Sequence, residues 1–128
     1  MQPIQLFALA SKQAEWLTVR QEVVATNIAN ANTPQYRAKD VASFDAVLDN
    51  TSMRMSRTNA AHFGDSQLSN NVKVEEAALN DEIGIQESGN TVAVSKELSK
   101  AGEVKRQYEL SANLVKSFNS MMLLTVKR

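Results

Sequence analysis

Residues 94–127 read VSKELSKAGEVKRQYELSANLVKSFNSMMLLTVK, and their spacing decides the fold. Val94, Leu98, Ala101, Lys105, Tyr108, Ala112, Val115, Asn119, Met122 and Val126 fall alternately four and three residues apart without a slip. That period marks one face of a helix that supercoils left-handedly against other helices. Val104, Leu114, Phe118, Met121 and Leu124 widen the apolar surface beyond a two-helix seam, so this helix expects more than one neighbour. The spacing predicts a helix from about Ser95 to Lys127 within a C-terminal segment 93–128. Glu103 and Arg106 stand at pairing distance i,i+3. Gly102 costs up to ~1 kcal/mol relative to Ala in a helix interior, and close approach of another helix is the one reason for it that the pattern offers.

Working back to the start of the chain, residues 1–33 carry a second pattern of this kind. Leu6, Leu9/Ala10, Ala14, Trp16/Leu17, Val23/Val24 and Ile28 form one helical face. Pro3 suits a first helical turn, where its missing N–H would have no partner. Gln13, Arg20 and Asn27 interrupt the seam at heptad spacing, as polar groups that fix register do. The helix is expected to end near Asn32-Thr33-Pro34, because the residue before proline is pushed out of the α region. At ~27 residues it would be roughly 40 Å long.

The insert between them, 34–92, is different in kind. Asp40 to Leu48 predicts a short amphipathic helix with Asp40 as its N-cap. From Asp49 to Asn71 the large apolar residues are Met53, Met55, Phe63 and Leu68 among many Ser, Asn and Thr, which reads as loop. Val72-Lys73-Val74 and Ile83-Gly84-Ile85 alternate like short strands of a small β element. Ser88-Gly89-Asn90 is a turn signal. The fold class is therefore mainly α: one domain, 1–128, in which long terminal helices pair as a coiled-coil-like hairpin around a polar, partly irregular insert.

Composition bounds the function. The 14 basic and 14 acidic residues balance, so no footprint for nucleic acid appears. No apolar run approaches the ~20 residues of a membrane span. The N-terminus lacks a basic n-region, and Lys12 and Glu15 interrupt any apolar run, so no cleavable signal is expected. Cysteine is absent, which removes thiolate sites and disulfides together. His62 is the sole histidine and has no companions at metal-ligand spacing. Glu75-Glu76 and Asp81-Glu82 read as solvated faces rather than an acid/base pair. Four glycines do not build a phosphate loop. No catalytic, cofactor or metal site is expected, and the chain does not read as an enzyme. With 16 of its apolar residues being alanine and only seven aromatics, the chain is expected to rely on partners to bury apolar surface.

The stretch Asn27-Ile28-Ala29-Asn30-Ala31-Asn32-Thr33-Pro34-Gln35-Tyr36-Arg37-Ala38 resembles the N-terminal signature of the rod and hook family of flagellar axial proteins. In that family a long N-terminal helix ends in an Asn-rich segment, Thr-Pro and an aromatic. Ser88-Gly89-Asn90-Thr91-Val92, with Glu97 five residues on, is similar to the segment before the C-terminal helix of proximal-rod members. Thr58-Asn59-Ala60-Ala61-His62 resembles their mid-chain Thr-x-x-x-His element. Two positions depart. Gln35 stands where the family has Gly, and would be strained if the turn needs φ > 0 there. Ala93 stands where the family has Asp, so Ser95 is expected to cap the last helix instead.

The resemblance implies a structural subunit of the proximal rod, periplasmic, exported uncleaved by the flagellar type III apparatus. Its implied partners are copies of itself, other rod proteins, the ring–rod adaptor and the export apparatus. Twist would pass through densely packed helix faces. The expected assembly interface is Leu9, Trp16, Leu17, Val23 and Val24 on the first helix, with Leu98, Tyr108, Val115, Phe118 and Met122 on the last. Asn27, Asn30, Asn32, Thr33, Pro34 and Tyr36 are expected to shape the signature turn. The rival reading is a cytoplasmic helical adaptor or export chaperone of the flagellar secretion system, which shares the long amphipathic helices but gives no reason for the Asn-rich Thr-Pro turn.

Overall fold

The computed structural model describes residues 3–49, 72–79 and 85–126. The first helix, α1, spans Pro3–Ala29. It is followed by β1 (Lys39–Val41), α2 (Phe44–Asp49), β2 (Val74–Glu76) and a last helix, α3 (Val94–Val126). The long helices lie antiparallel. Near one end Phe7 meets Phe118 edge-on with ring centroids 5.9 Å apart. Near the other, the Asn27 amide reaches the Glu97 carboxylate. The chain is thus mainly helical, with a small antiparallel sheet between long terminal helices, as the patterns predict.

α1 stops at Ala29 because Asn side chains and tight turns take over its last carbonyls. Asn30 donates both its backbone N–H (3.1 Å) and its side-chain Nδ2 (2.8 Å) to the Thr26 carbonyl. Ala31, Thr33 and Tyr36 then each donate to the carbonyl three residues back. Orphan carbonyls of the last helical turn are satisfied in this way without continuing the helix. Pro34 lies beyond that point, in the turn.

Gln35 has φ of 59°, in the left-handed region that favours glycine. The position at which the resemblance expects Gly thus has a positive φ in this chain. Two contacts hold the glutamine there. Its N–H donates to the Ser88 carbonyl at 2.8 Å, and Gly89, itself at φ 76°, comes so close that an added Cβ would lie 3.4 Å from Gln35 Cγ. Gln35→Gly is expected to raise stability by about 0.5–1 kcal/mol. Relief of the left-handed strain exceeds the added entropy of the unfolded chain. A urea midpoint that rises at unchanged m-value would confirm it, and a lower midpoint would refute the strain.

Several expectations are corrected. The small β element is made by Val74–Glu76 and by Lys39–Val41, which was expected at the start of a helix, with Lys39 opposite Glu76, Asp40 opposite Glu75 and Val41 opposite Val74. Ala42 N–H to Lys73 O (2.8 Å) and Ala77 N–H to Ala38 O (2.9 Å) lengthen the ladder at both ends. Asp40 belongs to that strand and does not cap α2; Ser43 does, accepting from Val47 N–H through its carbonyl and from Ala46 N–H through Oγ. α3 starts at Val94, one residue before Ser95, because the Ala93 carbonyl already accepts the first helical bond, from Glu97 N–H. Gly102 faces open space among the described residues, so none of their helices accounts for it. Glu103 accepts from Gln107 rather than pairing with Arg106. The Thr58–His62 element, the apolar residues Met53, Met55, Phe63 and Leu68, and Ile83-Gly84 lie outside the described residues.

The core sits at the turn end of the hairpin. Trp16 and Leu17 of α1, Val47 of α2 and Val104 of α3 pack together, with Val41, Phe44 and Val72 against them. The Trp16 indole N–H donates to the Ala42 carbonyl at 2.8 Å, its ring lies 5.9 Å from Phe44, and the Arg20 guanidinium covers it at 5.2 Å. A tryptophan buried with its one polar atom satisfied carries much of so small a core.

Candidate assembly interface

The signature turn and the start of α3 are joined by buried polar groups. Asn27 is fully buried (0% exposed). Its Nδ2 donates to the Lys39 carbonyl (2.7 Å) and to Glu97 Oε2 (3.0 Å); its Oδ1 accepts from Lys39 N–H (3.0 Å) and Tyr36 Oη (3.3 Å). Toward Lys39 the amide donates and accepts on the same residue, as a neighbouring strand would. Its hydrogen-bonding capacity is thereby filled, which is what burial of an amide requires.

Asn90, also 0% exposed, works in the opposite direction. Its Nδ2 donates to the carbonyls of Asn30 (2.9 Å) and Thr33 (2.8 Å), and its Oδ1 accepts from Val92 N–H (2.7 Å). Thr91 adds two bonds: its N–H to the Tyr36 carbonyl (3.1 Å), and its Oγ1 accepting from Ala38 N–H (2.9 Å). The turn after α1 and the segment before α3 are therefore one unit.

Glu97, 3% exposed, is met by Asn27 and by Lys100 Nζ at 3.1 Å. Lys100 also reaches Asp40 Oδ2 at 2.8 Å, and Arg20 lies 3.9 Å from the same carboxylate without a hydrogen bond to its buried Nε. Burial alone would push the Asp40 carboxyl up. The hydrogen bonds from Lys100 and Val41 N–H, with the charges of Lys100 and Arg20, outweigh it and hold Asp40 below its ordinary 3.8. Burial likewise favours neutral Lys100, but its bonds to Asp40 and Glu97 hold it above its ordinary 10.5.

The signs give a stability window. Asp40, depressed in the fold, contributes stability above its unfolded value near 3.8 and loses it as pH falls through the lower folded value. Lys100, raised in the fold, contributes below 10.5 and loses it as pH rises through the higher folded value. Asp40→Asn is expected to lower the thermal midpoint at pH 7 and to flatten its fall on the acid side. An acid limb as steep as that of the unsubstituted chain would rule out this role for Asp40.

The expected interface residues divide sharply. Trp16, Leu17, Val23 and Val24 are buried within the chain itself, and Leu9 is half-buried. Phe118 packs on Phe7, and Val115 is half-buried. Leu98 (58%), Tyr108 and Met122 are exposed. With Leu110, Leu114, Met121, Leu123 and Leu124 they leave much of the apolar surface of α3 uncovered. Beside it an open groove of about 420 Å3 runs between the helices, floored by small side chains such as Ala10, Ala14 and Ala112 and bounded by Phe7 and Tyr108. Of the signature residues, Asn27 is buried, Asn30 and Tyr36 are half-buried, and Asn32, Thr33 and Pro34 are exposed.

The sequence reading did not single out Asn90, Asp40 or Lys100 as linking residues. The signal for Asn90 was present in the turn tripeptide at 88–90, and that for Lys100 in its i,i+3 spacing from Glu97; nothing local marks the bond between Lys100 and Asp40, 60 residues apart in sequence. Among the described residues no group of three His, Cys, Asp or Glu side chains is placed to hold a metal ion, and no helix is long and apolar enough to cross a membrane.

Residues 17–37, the second half of α1 and the signature turn, match the sequence model of the family described as Flagella basal body rod protein, which points to a flagellar rod component. Two curated relatives narrow the class. The flagellar basal body rod protein FlgB of Agrobacterium fabrum (strain C58) is 65% identical over 130 residues, covering 100% of this chain and 97% of that one. FlgB of Bacillus subtilis (strain 168) is 32% identical over 106 residues, covering 80% and 79%. The chain belongs to the FlgB family of flagellar basal-body rod proteins. Its class is structural: a component of the basal body of the flagellum, and so of flagellar motility.

Proposed function

We propose that the chain is a subunit of the proximal rod and passes motor torque to its neighbours through packed helix faces. The observation that carries this is the exposed apolar surface of α3, where Leu98, Leu110, Leu114, Met121, Leu123 and Leu124 are left exposed in the single chain. Apolar area of this extent on a helix calls for other helices, and close packing is what passes a twist on instead of absorbing it. The neighbours in this reading are copies of the chain, FlgC-type rod proteins and the ring–rod adaptor. The subunit reaches the periplasm through the flagellar export apparatus without cleavage, and residues 1–128 act as one axial domain.

Electron microscopy of basal bodies from a strain deleted for the gene tests the reading. Rings without a rod, restored by the gene in trans, are expected. Intact rods and hooks would overturn it in favour of a cytoplasmic adaptor. A sharper test is Leu98→Asp. The side chain is 58% exposed in the subunit, so folding stability should change by less than about 0.5 kcal/mol. In an assembled interface the same carboxylate would be buried without a partner, so swimming should be lost. Normal swimming would place Leu98 outside the interface.

A further inference from the structure

The apolar repeat of α3 and the face it turns to α1 do not coincide. The repeat runs Val94, Leu98, Ala101, Lys105, Tyr108, Ala112, Val115, Asn119. The face toward α1 runs Glu97, Ala101, Val104, Tyr108, Ser111, Val115, Phe118. Glu97 bonds Asn27, Val104 packs with Trp16 and Leu17, and Phe118 meets Phe7; along the groove, which both frames line, Ser111 and Val115 are half-buried while Ala112 and Asn119 are exposed. Both frames alternate four and three, and they share Ala101, Tyr108 and Val115. At about 100° per residue their centre lines differ by roughly 50° of roll.

Composition alone does not choose between them, although the observed frame does place Val104 (4% exposed) in the core. One frame carries Lys105 and Asn119, the other Glu97 and Ser111. At the turn end the choice even runs against hydrophobicity, since Glu97 is 3% exposed while Leu98 beside it is 58% exposed. Along the groove the floor is small side chains with open space, which resists roll weakly. What distinguishes the observed frame is that a carboxylate is buried only where its lone pairs are met, and here Asn27 Nδ2 and Lys100 Nζ meet them.

We propose that the polar clamp Asn27–Glu97–Lys100–Asp40 selects the face of α3. It holds the helix rolled so that Glu97 and Val104 point inward and the side bearing Leu98 points outward. Asn27, Glu97 and Lys100 are thus positioning residues: they decide which apolar side chains the subunit presents. The inference concerns one chain in solution and does not depend on which neighbours it meets.

The chain has no cysteine, so single cysteines report cleanly. Leu98→Cys and Val104→Cys are compared for their rates of thiol labelling under native conditions in dilute subunit. With the clamp intact, position 98 should react faster than position 104. Glu97→Ala with Lys100→Ala should reverse that order as α3 rolls. Glu97→Gln, whose amide oxygen still accepts from Asn27, should preserve it. Circular dichroism follows helix content throughout. An unchanged order in the double variant would mean that the seam itself chooses the face. Equally fast labelling at both positions would mean that the clamp holds the helix on without orienting it. Either result overturns the proposal.

Discussion

Asn27→Asp is expected to destabilise the chain by about 3 kcal/mol or more, although it changes no shape. The nitrogen that donates to Glu97 Oε2 at 3.0 Å and to the Lys39 carbonyl at 2.7 Å becomes an oxygen facing two oxygens. At full burial, neither the new charge nor the Glu97 carboxylate has water to turn to. Urea unfolding followed by circular dichroism measures the loss. Adding Glu97→Gln should recover part of it, since the introduced amide can donate to the new carboxylate; the clash with the Lys39 carbonyl remains. A loss under about 1 kcal/mol would show that the site opens to water and that Asn27 is no pin.

Trp16→Ala is expected to cost about 3–5 kcal/mol, the range for emptying an aromatic site in a packed core. The site touches every layer of the fold: Leu17 on its own helix, Val47 and Phe44 in and at the start of α2, and Val104 on α3. Truncation also strands the Ala42 carbonyl, which accepts the indole N–H at 2.8 Å. Trp16 is the only tryptophan, so the change must be read by circular dichroism rather than intrinsic fluorescence. Leu114→Ala, on the exposed side of α3, should change stability by less than about 0.5 kcal/mol in the same assay. Equal losses at the two positions would mean that the core is not where the structure puts it.

How much was legible in the sequence follows from the range of each interaction. The long helices could be read because every element of the pattern lies within one or two turns of the next. Asn27 was marked as a polar interruption of the seam, and it sets the contacts of that seam. The strain at Gln35 was visible by comparison with the Gly that the family places there, and the φ of 59° bears it out. The sheet was not legible in its pairing: strands of three residues carry too little pattern to name their partner, and Lys39–Val41 holds one apolar side chain. The roll of α3 was not legible either, because the two heptad frames overlap and a buried ion pair with Lys100 decides between them. Trp16, Leu17, Val23 and Val24, expected at the assembly interface, are buried within the single chain, since a period of 3.5 gives the side of a helix that is covered and not what covers it.

The bonds that close the base span long stretches of chain: Asn90 lies 60 residues beyond Asn30, and Glu97 lies 70 beyond Asn27. That separation has a consequence in time. A ribosome adding about 5–20 residues per second needs several seconds to go from the one asparagine to the glutamate. Throughout that interval α1 has no Glu97 to pair with Asn27 and no Val104 to cover Trp16. Closing loops of this length adds an entropic barrier that grows only slowly with their size, so completion waits for the last third of the chain rather than for any search. The subunit therefore stays open for most of its synthesis and locks late.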